Sequence, residues 1–120
     1  MTDAEIRKQF EGASDFEARS LRTGSAALYG YFIDGLVASS FIADYIFKPL
    51  VRDLPDSVSD AYRAALHGGI YNAVARPCKD IQDVASKIVN GFCVVLFPGV
   101  GAIAFEVRTG VSRGPQSPDV

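Results

Sequence analysis

His67 is the only imidazole in the chain, and it is the first group to test for chemistry, because a nucleophile needs a base within hydrogen-bond reach. It stands beside Gly68-Gly69 at an expected helix end with no evident partner, and a helix-terminal histidine that complements the dipole explains it. Asp80 and Asp83 share one side of an expected helix, the spacing of an acid/base pair, yet a first-turn position already accounts for both charges. Gly99-Val100-Gly101 has the glycines of a phosphate loop. Such a loop opens a helix, whereas here a strand follows, so a tight hairpin is expected. Cys78 and Cys93 have neither CxxC spacing nor nearby histidines, which removes the basis for a zinc site or a thioredoxin-type redox motif. Cys93 lies in an apolar run and reads as a small buried hydrophobe, and the pair is expected to be reduced. No catalytic residues, no cofactor and no metal site follow from these groups.

Binding chemistry is equally sparse. Tyr29, Tyr31 and Phe32 fall in an apolar strand, and Tyr45 and Phe47 on a helix face, so these rings are expected in the core rather than as a stacking platform for bases. Twelve Lys and Arg against 14 Asp and Glu give a net charge of -2 with both signs scattered, which excludes the basic face that nucleic acid demands. Residues 1–10 are polar, without the basic start and apolar stretch of a secretory signal. The most apolar segment, Phe92 to Val107, is broken by Pro98, Gly99 and Gly101 and carries Glu106, well short of a membrane span of roughly 20 residues. With 120 residues, 48% of them hydrophobic, the chain can bury one core without staples. A soluble, single-domain protein is expected.

The elements that must position these groups can be read from periodicity. Asp3 to Phe10 can form a short amphipathic helix through Ile6 and Phe10. Phe16 and Ala18 alternate with Glu17 and Arg19 in a half-exposed strand, and Ala26 to Ile33 is apolar throughout, as for a strand buried on both faces. The two form a hairpin through Arg22-Thr23-Gly24-Ser25. After the Asp34-Gly35 turn, Ser39 or Ser40 is expected to cap a helix with the stripe Phe41, Ile42, Tyr45, Ile46 and Leu50, with Pro49 in its last turn. Ser57 and Asp60 resemble a capping box opening a second helix through Leu66, ended by Gly68-Gly69. Ile70 to Ala75 reads as a short strand. Ile81, Val84, Ala85, Ile88 and Val89 make one face of a helix over Lys79 to Asn90, with Gly91 at C′. Phe92 to Phe97 and Ala102 to Arg108 form a closing hairpin. The order β-β-α-α-β-α-β-β gives an α/β fold: a mixed β-sheet of about four to five strands with helices packed on it.

Three segments resemble the N-terminal cytoplasmic region of the GerA family of spore germination proteins. Ser14-Asp15-Phe16-Glu17-Ala18-Arg19 resembles the family's serine-aspartate, apolar, arginine strand. Ala27 through Val37, with Ile42 and Ile46-Phe47-Lys48-Pro49-Leu50, resembles its apolar strand, Tyr-Ile-Asp-Gly-Leu-Val turn, helix and Lys-Pro-Leu ending. Ile88-Val89-Asn90-Gly91, Val94 to Phe97, Gly99, Ala102-Ile103 and Arg108 through Arg113 resemble its closing helix, paired strands and arginine-containing exit. The chain departs from the family at Phe97-Pro98-Gly99, where the family usually has Ile-Asp-Gly, and at Ser117-Pro118-Asp119-Val120, where the family tends to have Glu-Pro with a later Glu. The middle, Asp53 to Ala75, matches weakly.

The resemblance implies a non-enzymatic first soluble subdomain of a germinant receptor A subunit. Residues 1–13 would be an N-terminal arm or short helix, 14–109 the α/β domain, and 110–120 a linker toward a second subdomain absent from this chain. By resemblance the full A subunit sits in the inner spore membrane with B and C subunits, this domain on the cytoplasmic side, and nutrients trigger germination. Interface candidates are Asp15, Arg19, Arg108 and Arg113. A second reading, a sensor for a small nutrient germinant, places the ligand beside Asp34-Gly35 and Gly99 at the strand ends. A stage V sporulation paralogue is the same-family alternative.

Overall fold

Apolar stretches bounded by turn residues set the strands of the computed structural model, which describes residues 1–23, 26–55, 57–70 and 73–107. Helix α1 (Asp3–Gln9) is opened by a capping box in which Thr2 and Glu5 satisfy each other's amides. Strands β1 (Phe16–Thr23) and β2 (Ala26–Ile33) pair along their whole length, from Phe16↔Ile33 to Thr23↔Ala26. Helix α2 (Ser39–Ile42) runs through a wide π-type turn over Ala43–Phe47 into α3 (Lys48–Arg52). In that turn the Lys48 amide bonds to the Ala43 carbonyl five residues back, one turn ahead of Pro49, whose missing N–H disturbs the regular ladder. Helix α4 (Val58–Ala64) continues into a second wide turn over Ala65–Gly69 that unwinds at His67 and at Gly68, φ 99°. Strand β3 (Ala73–Pro77), helix α5 (Ile81–Val89) and the hairpin of β4 (Cys93–Phe97) with β5 (Gly101–Val107) are the remaining elements of the described residues.

The expected α/β fold and its order are present, with strands arranged β1-β2-β4-β5-β3. All four ladders are antiparallel, where a sheet of mixed direction was expected. β3 and β4 do run the same way, but β5 lies between them and pairs with both. The continuous apolar runs of β2 and β4 arise because helices cover both faces. On one face Leu28, Phe32, Val95, Phe97, Ile103 and Phe105 pack under Ile42, Ile46, Leu50, Ala61 and Ala65 of the α2–α4 segment. On the other, Tyr31, Ile33, Val94, Leu96, Ala102 and Ala104 meet Ile6 of α1 and Val84 and Ile88 of α5. Burying an aliphatic side chain of this size contributes about 1.5–3 kcal/mol, so each face is an appreciable share of the core.

Three local expectations change. The first helix after the Asp34 turn has Ala38 at its N-cap and no side-chain cap, so Ser39 and Ser40 lie inside the first turn instead. The third strand begins at Ala73 and takes in Pro77; an outer strand tolerates proline because its outward N–H has no ladder partner to lose. Asp80 is the N-cap of α5 rather than a first-turn residue, accepting from the Asp83 amide at 2.8 Å. The other end of α5 is a Schellman closure: Gly91, φ 90°, donates to the Ile88 carbonyl and Phe92 to that of Lys87.

Candidate functional site

Register decides which candidate residues meet. Asp34 follows β2, and its amide donates to the Asp15 carbonyl at 2.9 Å. Asp15, Asp34 and Gly35 therefore share one end of the sheet. Gly35, φ 100°, occupies the third position of a turn closed by the Leu36 amide on the Ile33 carbonyl, and this turn lies against Gly91. Gly99, φ 79°, holds the same position in the Phe97-Pro98-Gly99-Val100 turn, closed by Val100 on Phe97 at 2.9 Å. A proline followed by a positive-φ glycine is the sequence of a type II turn. That turn ends β4, whereas the Asp34 turn sits beside its start, since Tyr31 pairs with Val94. The two turns are separated by the length of β4, roughly 16 Å at 3.3 Å per residue. A single cleft containing Asp34-Gly35 and Gly99 is thus not formed.

Arg19 lies mid-strand. Its guanidinium donates to Glu17 and stands 5.7 Å from the centre of the Phe32 ring, so its stem and charge cover the margin of the core while the head stays half exposed. Arg108 and Arg113 lie outside the described residues, as does the segment 110–120.

The end of the sheet that holds Gly99 carries an open groove of about 630 Å³. Tyr62 from α4 forms one wall, edge-on to Phe97 with ring centres 5.4 Å apart. The opposite wall comes from Met1 and Glu5 of the N-terminal segment, and Cys78, Lys79 and Asp80 from the β3–α5 connection complete the rim. Gly101 leaves room for this packing, because a Cβ there would come within 3.2 Å of the Tyr62 ring and push it aside by a few tenths of an ångström. Of these residues only Gly99 was a binding candidate from sequence; Cys78, Asp80 and Gly101 were weighed there for metal, acid/base and phosphate chemistry and set aside, and Met1, Glu5, Tyr62 and Lys79 were not singled out. The signal that could have pointed to them is positional: Cys78 to Asp80 join the end of a strand to the start of a helix.

The groove holds no poised acid, base or nucleophile among the described residues. The Cys78 thiol is pushed up to about 11, first by burial and then by the Asp83 carboxylate, so it stays protonated near neutral pH, and the thiol is not the nucleophilic form. Asp83 is held below the usual carboxylate range, chiefly by the Lys87 ammonium at 2.8 Å and by the Lys79 amide. It anchors the start of α5. On the far side of the sheet from α4, the Tyr31 hydroxyl donates to Asp3 at 2.6 Å. Burial, reinforced by that carboxylate, raises the phenol above its ordinary value. Cys93 is buried in the core and its thiol is likewise raised by burial. His67 is exposed at the unwound turn, with no hydrogen-bond partner among the described residues.

The geometry thus offers turns, caps and a shallow polar-rimmed groove. A family model described as Bacillus/Clostridium GerA spore germination protein matches residues 4–120. No curated protein sequence matches the chain. Among solved structures, the crystal structure of the N-terminal domain of the A subunit of the Bacillus megaterium spore germinant receptor GerK3 is similar, with a TM-score of 0.70 and 20% sequence identity. The match covers 89% of this chain and 44% of that one, so the chain spans under half the length of the solved domain. At this identity the likeness is one of fold. The family match, in contrast, runs over nearly every residue, α1 and the closing hairpin included, and on that ground the chain belongs to the GerA family of spore germination proteins.

Proposed function

We infer that this domain is a non-catalytic soluble part of a spore germinant receptor A subunit, acting in nutrient-triggered germination through receptor assembly and signal coupling. The observation that carries the reading is the family match across residues 4–120, joined to a fold shared with a germinant receptor's N-terminal domain. The scatter of reactive groups supports it: His67 is exposed, the Cys78 thiol is protonated, and Asp80 and Asp83 serve the helix they begin. In this reading residues 14–109 form the first subdomain, residues 1–13 supply a helix laid on it, and 110–120 lead toward a second subdomain. The partners are that subdomain, the membrane part of the A subunit and the B and C subunits. No helix among the described residues is long and apolar enough to cross a membrane. The reading accordingly places attachment to the inner spore membrane elsewhere in the A subunit, with this domain on the cytoplasmic side.

Charge reversal at Asp15, Arg19, Arg108 and Arg113 in a full-length receptor tests this. The expected result is weakened co-purification with the B and C subunits and slower nutrient-triggered germination, with A subunit abundance unchanged. Normal assembly and germination would return these residues to the role of solvated charges without a binding task.

The groove beside Gly99 favours a second reading, a sensor for a small germinant, because its volume suits an amino acid or sugar. Calorimetry of the chain against a nutrient panel separates the two: saturable binding that is lost in Tyr62→Ala supports the sensor, and its absence supports the scaffold.

A further inference from the structure

The open sheet has two outer edges, β1 and β3, and they are built differently. Backbone groups of an antiparallel strand alternate between its two sides, so one hydrogen bond fixes the phase of the whole strand. Next to β3, the Cys78 amide donates to the Ala102 carbonyl at 2.9 Å. With Pro77 opposite Ile103, this turns Ala73, Ala75 and Pro77 toward the open side. Pro77 has no N–H, and the Ala73 amide is taken by the Ile70 carbonyl at 3.3 Å. Only the Ala75 amide is left there among the described residues. A short strand ending in proline is a protected edge.

Strand β1 lacks such protection. The bond from Asp34 to the Asp15 carbonyl extends the register Phe16↔Ile33, so odd-numbered residues bond to β2 while Phe16, Ala18, Ser20 and Arg22 face outward. The Phe16 amide is held by Ala13 at 3.4 Å. The amides of Ala18, Ser20 and Arg22 have no strand partner among the described residues. All eight residues of β1 pair in continuous register without bulge or proline.

We propose that this edge pairs with the same edge of a second copy, antiparallel about a two-fold axis at Ala18, joining two five-stranded sheets into one. Charge selects this occupant. Outward-facing residues must oppose outward-facing residues, which limits the register to a few settings. With Ala18 opposite its own copy, Phe16 faces Ser20 and Glu17 faces Arg19, twice. Centring on Glu17 or on Arg19 instead opposes like charges, and centring on Ser20 leaves both without an opposite charge. Glu17 and Arg19 already share one face, ion-paired and partly exposed, so the seam carries four charges of alternating sign. Directly opposed unlike charges stabilise a strand pair, and like charges disrupt it.

Sedimentation velocity over a concentration series tests the pairing. The wild-type chain is expected to shift from monomer to dimer, and hydrogen exchange at Ala18, Ser20 and Arg22 to slow as concentration rises. Glu17→Lys and Arg19→Glu should each weaken self-association about tenfold or more. An equimolar mixture of the two should associate again, because Lys then faces Glu and Arg faces Glu across the seam while neither chain regains its internal pair. Ser20→Pro, which removes an outward amide and no bond to β2, should abolish the dimer. A wild-type chain that stays monomeric, or a mixture that stays dissociated, would overturn the proposal. So would protection of these amides independent of concentration, which would give the edge to a segment of the same chain.

Discussion

The hydroxyl of Tyr31 links the first helix to strand β2, donating to an Asp3 carboxylate that is also held by Arg7 at 2.9 Å. A hydrogen bond to a charged group contributes about 1.5–3 kcal/mol, and this one is only part-buried, so Tyr31→Phe should lower stability by no more than that order in chemical denaturation and speed exchange in α1. The phenol's pKa is raised in the fold by burial and then by Asp3. Its contribution is therefore full below the unfolded tyrosine value of about 10 and declines as pH rises beyond it. Loss of stability above that pH should be steeper in the wild type than in Tyr31→Phe. Asp83 behaves oppositely. Its pKa is lowered by Lys87 and the Lys79 amide, so its contribution is present above about pH 4 and fades as acid protonates it. Asp83→Asn should be less stable than wild type at neutral pH and indistinguishable from it in strong acid, as read from denaturant midpoints.

Two glycines show how the elements depend on different physics. Gly30 in β2 lies under the Phe47 ring, and an added Cβ would overlap that ring. Gly30→Ala should cost about 1–3 kcal/mol by overpacking, and Phe47→Leu in the same chain should recover part of it, a coupling that a double-mutant cycle measures. Gly99 has open space around its Cβ position but a φ of 79°, so Gly99→Ala should cost about 1–2 kcal/mol through backbone strain alone, with no second-site rescue. Elements made of neighbouring residues were legible in sequence. Both hairpins and the α5 closure at Asn90-Gly91 follow from turn residues and periodicity at short range. What periodicity does not carry is the pairing of β3 with β5, since that contact joins residues 73–77 to 101–107 across an intervening helix and strand. Unbroken apolar runs such as Ala26 to Ile33 report two covered faces, and helices cover both faces of this antiparallel sheet just as they would a parallel one. The candidate site was less legible. Gly99 was found as a turn, but Tyr62 reaches the groove only through the packing of α4 on Phe97, a relation invisible to spacing.

At the scale of the whole molecule, two cores share one sheet. Ile6 and Ile46 are fully buried on opposite faces. Ile6→Ala and Ile46→Ala should each cost about 2–5 kcal/mol, and their effects should add to within about 0.5 kcal/mol because the two belong to separate clusters on opposite faces of the sheet. Thermal unfolding is expected to remain a single transition, since strands common to both layers leave neither able to melt alone. The strand order β1-β2-β4-β5-β3 adds a constraint in time. Among the described residues β3 pairs only with β5, which is made after it, so during synthesis Ala73 to Pro77 waits unpaired until the β4–β5 hairpin has left the ribosome. A nascent chain halted before Gly101 therefore exposes both sides of β3 and the apolar margin of β4, and is the species on which a chaperone or protease would act.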